Sequence, residues 1–187
     1  MKRFEGKSVV ITGAGSGIGA ACVRRLHEEG AAVVAIDVNL AEAQKVVAGL
    51  GAGAKALALA ADVADRAQVE AAIATAAQEL GGLYGLVNCA GVRGVGSLLD
   101  FEDEAWRRVM SINLDGTFLT CQAFARELRK ADKPGAIVNF SSLAGGSAAS
   151  RTALATSPRS SRSPASPSRW QWSWVRMASA SMRLPRA

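Results

Sequence analysis

A chain of 187 residues, 49% of them apolar, is long enough for one domain with a real core. No apolar run approaches the roughly 20 residues that span a bilayer, and Met1–Lys7 carries no apolar signal stretch, so no membrane association and a cytoplasmic location are the expectations. The net charge of +6 invites a nucleic-acid reading, but residues 1–150 hold 15 Lys and Arg against all 16 Asp and Glu, whereas residues 151–187 hold seven Arg and no acid, so no nucleic-acid partner is expected of the folded part.

In chain order, apolar runs alternate with helical patterns. Ser8–Ile11 reads as a buried strand and Gly17–Glu29 as a helix. Ala32–Ile36 is a second strand, followed by a helix around Leu40–Leu50. Lys55–Ala60 is a third strand, with Asp62-Val63 placed at its end, and Arg66–Leu80 a third helix. Gly85–Asn88 is a fourth strand, Glu102–Arg129 one long helical stretch, and Ala136–Phe140 a fifth strand. Short apolar strands separated by helices predict βαβ units: an α/β fold, a Rossmann-like doubly wound parallel sheet that stops after the fifth strand. Cys22, Cys89 and Cys121 are odd in number and lack metal-ligand spacing, so they read as reduced thiols, and no metal site is expected.

The pattern stops near Ser150, which divides the chain into a dinucleotide-binding domain (1–150) and a tail (151–187). The tail holds nine Ser, seven Arg, four of the five Pro and three of the four Trp. It shows neither a strand nor a helix period, and its prolines interrupt any helix. At face value it is a disordered basic tail.

Chemistry concentrates at strand ends. Thr12-Gly13-Ala14-Gly15-Ser16-Gly17-Ile18-Gly19 joins the first strand to the first helix. Glycines there permit a tight turn and close backbone approach to a pyrophosphate, which the free N–H groups of the helix start would hold. A purely structural turn is the alternative. Asp37 ends the second strand, where its carboxylate can accept both ribose hydroxyls of an adenosine and would repel a 2′-phosphate, favouring NAD over NADP. A solvated strand-end aspartate is the plainer reading. Asp62 could reach an adenine edge.

Taken together, several segments resemble the short-chain dehydrogenase/reductase family over roughly residues 6–146. They are the T-G-x-x-x-G-x-G turn, Asp62-Val63, Asn88-Cys89-Ala90-Gly91, Ser111-Ile112-Asn113 and Ile137-Val138-Asn139-Phe140-Ser141-Ser142. The family's N-N-A-G is here N-C-A-G. The resemblance implies that Gly13, Ser16, Gly17, Ile18 and Gly19 hold the pyrophosphate, with Asp62 and Val63 near the adenine. It implies that Asn88, Ala90 and Gly91 line the nicotinamide half. Asn113 would support a proton-relay water and a helix kink, and Ser142 would hydrogen-bond a small alcohol or carbonyl substrate. Intact members are usually homo-oligomers.

The resemblance also exposes a gap. The family's general acid/base is a Tyr about 13 residues after the Ser, with a Lys four further on that lowers its pKa. Here the only tyrosine is Tyr84 and the last lysine is Lys133, while Ala155 and Arg159 stand near the motif positions. An Arg does not substitute simply for that Lys. Reading the tail in another frame restores the motif. With codons GCT, ACG, TCG, CCT, CGA and AGT for Ala155 to Ser160, the shifted frame reads TAC GTC GCC TCG AAG, which is Tyr-Val-Ala-Ser-Lys. Permitted codons for Gln171 to Ala187 restore Val-Glu-Leu-Gly-Pro-Asp-Gly-Ile-Arg-Val-Asn-Ala-Val-Ala-Pro-Gly, a segment similar to the one that follows the family's catalytic helix. The expectation is a frameshift between Ser142 and Ala155, an oxidoreductase by lineage, and little or no activity as written. A non-catalytic dinucleotide-binding module is the alternative.

Overall fold

A computed structural model describes residues 2–94, 96, 97 and 99–140 of the chain. Five strands form one sheet: β1 Ser8–Thr12, β2 Ala32–Asp37, β3 Ala56–Ala60, β4 Gly85–Asn88 and β5 Ala136–Asn139. Their order is β3-β2-β1-β4-β5, and every neighbouring pair is parallel. The helices are α1 Gly17–Glu28, α2 Leu40–Ala48, α3 Arg66–Glu79, α4 Asp103–Met110 and α5 Gly116–Lys130, with a π-helical turn at Ser111–Asp115 between the last two. This is the expected Rossmann-like doubly wound sheet, and β5 is its last strand among the described residues.

Binary patterning explains the layering. β1 is buried on both faces, as a central parallel strand of β-branched residues should be. Its alternate side chains enter two separate cores. Val10 joins Val34, Ile36, Leu86 and Ile137 beneath α3 and α5, where Ile73 and Phe124 are fully covered. Val9 and Ile11 join Val33 and Ala35 beneath α1 and α2, with Val23 and Ala43 inserted from the helices. Truncating Phe124 to Ala would cost about 3–5 kcal/mol by the usual cavity penalty.

Two expectations are sharpened. The helical stretch expected over Glu102–Arg129 runs from Asp103 to Lys130, and its middle turn, Ser111–Asp115, is π-helical, around the Asn113 where the resemblance implies a kink. There the Thr117 hydroxyl donates to the Asn113 carbonyl at 2.8 Å, while the Asn113 side chain is drawn off to Val92. Such turns mark functional sites more often than chance. The second concerns Asp62-Val63, which lies past the third strand, since β3 ends at Ala60. The Asp62 carboxylate accepts the Ala64 N–H at 2.9 Å, and its own N–H donates to the Gln68 amide oxygen at 3.0 Å. Those bonds turn the chain out of the ladder.

The register aligns the strand tips. Thr12 faces Ile36 and Asn88, Asp37 faces Ala60, and Asn88 faces Asn139. From β1 the chain moves out through β2 to β3, then returns to β4 on the other side of β1. The reversal opens a crevice beyond the C-terminal tips of β1 and β4, where open α/β sheets bind ligands.

Candidate functional site

The glycine turn lines that crevice, and its glycines are obligatory for different reasons. Gly13 has φ +62°, and a Cβ there would stand 2.7 Å from the Ala90 backbone. Gly19 faces the turn itself, so a Cβ would meet the Gly13 carbonyl oxygen at 2.1 Å. At Gly17 the space is open, but φ is +51°. The turn is therefore folded onto itself and onto the segment after β4, leaving its backbone N–H edge at the start of α1. Ser16 is the N-cap residue there, and its hydroxyl makes no capping bond. No acidic residue occupies the first turn of α1. These features suit an anion, because uncapped N–H groups and the helix dipole both favour negative charge. Ile18 stands exposed at the same opening.

Asp37 lies against the turn at Gly15. One carboxylate oxygen accepts the Gly15 N–H at 2.8 Å and the other the Asn39 N–H at 2.9 Å. A side chain at Gly15 would collide with this carboxylate and with Glu42 Cβ. Asp37 thus holds the turn in place while presenting its charge at the tip of β2. Val38 and Leu40, which the sequence did not single out, follow it as exposed apolar side chains. Asp62 is engaged by its own turn, as above. Val63 is buried, and a Cβ on Gly116 would stand 2.7 Å from its Cγ2.

Asn88 behaves as a tie between elements. It is 4% exposed. Its side-chain oxygen accepts the Thr120 hydroxyl at 2.9 Å and lies 3.4 Å from that of Thr12. Its amide donates to Asn139 at 2.9 Å and to the Cys121 thiol at 3.3 Å. One buried amide therefore joins the tips of β1, β4 and β5 to α5. The Thr12 hydroxyl also accepts the Ala90 N–H at 3.3 Å, fixing the backbone that meets Gly13. Burial raises the Cys121 thiol pKa above its ordinary value, against the opposing bonds to Asn88 and Asn139. Sequence reasoning missed Thr12, Thr120 and Cys121 as members of this network. The available signal was a threonine set among the apolar residues of α5.

Asn113 grips the chain after Gly91 from the π-helical turn. Its side-chain oxygen accepts the Val92 N–H at 2.8 Å and its amide donates to the Val92 carbonyl at 2.9 Å. A Cβ on Gly91 would stand 3.3 Å from the same oxygen. The structure thus brings Gly13, Gly19, Ala90, Gly91 and Asn113 to one crevice, with Asp37 at its rim. Ser142 lies outside the described residues, as do Ala155, Arg159 and the whole tail.

Comparison with known proteins gives a consistent picture. The family model described as short chain dehydrogenase matches residues 7–157. The chain is 42% identical over 144 residues to 2-(S)-hydroxypropyl-CoM dehydrogenase 3 of Xanthobacter autotrophicus, covering 76% of this chain and 56% of that protein. It is 41% identical over 143 residues to D-threitol dehydrogenase of Mycolicibacterium smegmatis, covering 76% and 55%. Among solved structures, a short-chain type dehydrogenase/reductase from Mycobacterium ulcerans superposes with a TM-score of 0.76 at 28% identity, over 82% of this chain and 57% of that one. The chain therefore spans a little over half the length of these relatives.

Proposed function

The chain belongs to the short-chain dehydrogenase family, and on that premise we propose that its lineage is an NAD-dependent oxidoreductase acting on the CH–OH group of a small alcohol or the matching carbonyl. The observation that carries this reading is the glycine turn at the uncapped start of α1, packed so closely at Gly13 and Gly19 that a Cβ at either would strike backbone. Gly13, Ser16, Gly17, Ile18 and Gly19 would hold the pyrophosphate. Asp37 would take the ribose hydroxyls, which favours NAD over its 2′-phosphorylated form by charge. Asp62 and Val63 would lie on the adenine side, and Ala90 and Gly91, positioned by Asn88, on the nicotinamide side. When bound, the cofactor supplies a carbon that accepts or gives hydride.

The remaining steps fall to the protein. Ser142 would orient the substrate oxygen, and Asn113, its side chain engaged by Val92, would support a proton-relay water from its place on the π-helical turn. The proton itself needs a Tyr of lowered pKa, and the sequence offers Ala155 and Arg159 where the family has its Tyr and Lys. We attribute this to a frameshift between Ser142 and Ala155, because the neighbouring frame spells Tyr-Val-Ala-Ser-Lys. Losing a positioned acid/base removes a factor of about 10²–10⁴ in rate, so little or no turnover is expected as written. The substrate, the cytoplasmic location and a homo-oligomeric intact form belong to the same proposal.

Resequencing the coding DNA across codons 142–156 is the direct test. An insertion or deletion supports an ordinary enzyme with its motif restored, and alcohol-dependent NADH formation by the corrected chain completes the case. If the reading frame stands, the second reading takes over: a dinucleotide-binding module without catalysis, favoured by the intact glycine turn. Calorimetry then decides, since NADH binding without turnover is that module's signature.

A further inference from the structure

The wall formed by Ala90, Gly91 and Val92 is held at both ends, and both holds lead back to the same helical unit. Val92 is gripped directly by Asn113 in the π-helical turn. Ala90 is held at one remove. Its N–H donates to the Thr12 hydroxyl at 3.3 Å, that hydroxyl lies 3.4 Å from the Asn88 side-chain oxygen, and the same oxygen accepts the Thr120 hydroxyl from α5 at 2.9 Å. Thr12, Asn88 and Thr120 are all buried, so each depends on the others for its partners. Thr120 has one proton and three acceptors within reach, since the Gly116 and Thr117 carbonyls lie at 2.9 and 3.0 Å. Those carbonyls belong to α5 and have backbone N–H partners of their own. Among the described residues the Asn88 oxygen has only the two hydroxyls, so the Thr120 proton counts most there.

We propose that Thr120 is a positioning residue for the Ala90–Gly91 wall, which the dinucleotide reading assigns to the nicotinamide half; the identity of the ligand rests on that reading. The Thr120 hydroxyl fixes the Asn88 amide with its oxygen toward Thr12 and its NH2 group toward Asn139 and Cys121. Facing an acceptor, the Thr12 hydroxyl gives its proton to Asn88 and keeps its lone pairs for the Ala90 N–H. Without the Thr120 proton, the Asn88 oxygen is left with the longer of its two bonds. The amide is then free to turn its NH2 group toward Thr12, whose oxygen would have to serve two donors. Ala90 loosens, while Val92 stays in the grip of Asn113. Thr120 acts on the wall only through Asn88 and Thr12.

The test uses the full chain, with hydrogen exchange read at individual backbone amides. Thr120→Val keeps the branched shape and removes the hydroxyl. It should speed exchange at Ala90 by about three- to tenfold, the net effect of one hydrogen bond, and leave Val92 unchanged. Thr120→Ala carries the same expectation and serves where the second methyl of valine prevents folding. Thr120→Ser, which retains the hydroxyl and loses the methyl, should restore the parent rate at Ala90. Because Thr120 acts through Thr12, adding Thr120→Val to Thr12→Val should speed Ala90 no further than Thr12→Val alone. Calorimetry reads the ligand side: Thr120→Val should weaken NADH binding and leave binding of ADP, which lacks the nicotinamide half, as in the parent. An unchanged rate at Ala90, equal acceleration at Ala90 and Val92, a Ser variant that behaves like Val, additive effects in the double variant, or equal loss of NADH and ADP would overturn the proposal. A parent chain that binds neither nucleotide counts against the dinucleotide reading, and the exchange rates at Ala90 still decide for or against Thr120.

Discussion

The Gly15 backbone N–H donates to the Asp37 carboxylate at 2.8 Å, so the acid at the tip of β2 holds the glycine turn at the tip of β1. One side chain therefore sets both the shape of the turn and the charge beside it. Replacing Asp37 with Ser should remove the repulsion toward a 2′-phosphate and loosen Gly15 together. A hydrogen bond to a charged group contributes about 1.5–3 kcal/mol. NADH binding should accordingly weaken by about 10- to 100-fold, while NADPH binding weakens less or improves. Calorimetry with both cofactors reads the ratio, and an unchanged ratio would remove Asp37 from cofactor selection.

The glycines offer a graded comparison. Gly19→Ala would drive a methyl into the Gly13 carbonyl oxygen, 2.1 Å away, and backbone cannot yield as a flexible side chain does. Gly17→Ala meets open space and carries only the penalty of φ +51°, about 1–2 kcal/mol. Urea midpoints should fall far more for Gly19→Ala than for Gly17→Ala. Equal losses would mean that close approach does not govern this turn.

Much of this architecture could be read from periodicity. All five strands lay where apolar runs and glycine punctuation put them, because parallel strands buried on both faces leave little choice of residue. The kink at Asn113 is implied by the family resemblance, but its partner is not legible, since Asn113 reaches Val92, 21 residues earlier. Asn88 shows the same limit. Its motif implies a residue lining a ligand, and its depth and its bonds to Thr12, Thr120, Cys121 and Asn139, which depend on four elements converging, are not legible there. Asp62 likewise reads as a strand end by position, and only its bond to the Ala64 N–H shows it already turned away. Local pattern carries local structure; contacts distant in sequence carry the site.

At the opposite end of the sheet, Glu29 couples the N-terminal segment to α1 in a pH-dependent way. It is buried, and Arg3 meets it through two bonds of 2.6 and 2.5 Å, with Arg25 adding a third contact at 2.8 Å. The Arg3 hydrogen bond holds the Glu29 carboxyl below its ordinary range, outweighing burial, which acts the other way. A depressed folded-state pKa stabilises the fold above the unfolded value of about 4.3, and that stability is lost as pH falls through the folded value. Urea midpoints measured from pH 7 down to pH 3 should therefore fall more for the parent chain than for Arg3→Ala. Parallel curves would show that this pair does not contribute to acid sensitivity.

Asn113 offers the sharpest separation of structure from chemistry, because its side chain makes two bonds to a single residue. Asn113→Ala strands both the N–H and the carbonyl of Val92, at a cost of about 1–3 kcal/mol for each half-buried group not rescued by water. Asn113→Asp keeps an acceptor for the Val92 N–H at 2.8 Å but turns a carboxylate oxygen toward the Val92 carbonyl in place of the donor. Amide exchange at Val92 should thus be fast in the Ala variant and slow in the Asp variant, while both lose thermal stability. If the two variants exchanged alike, the grip on Val92 would be set by the loop itself and not by Asn113. If they differ as expected, the π-helical turn is what fixes the Gly91–Val92 wall of the crevice.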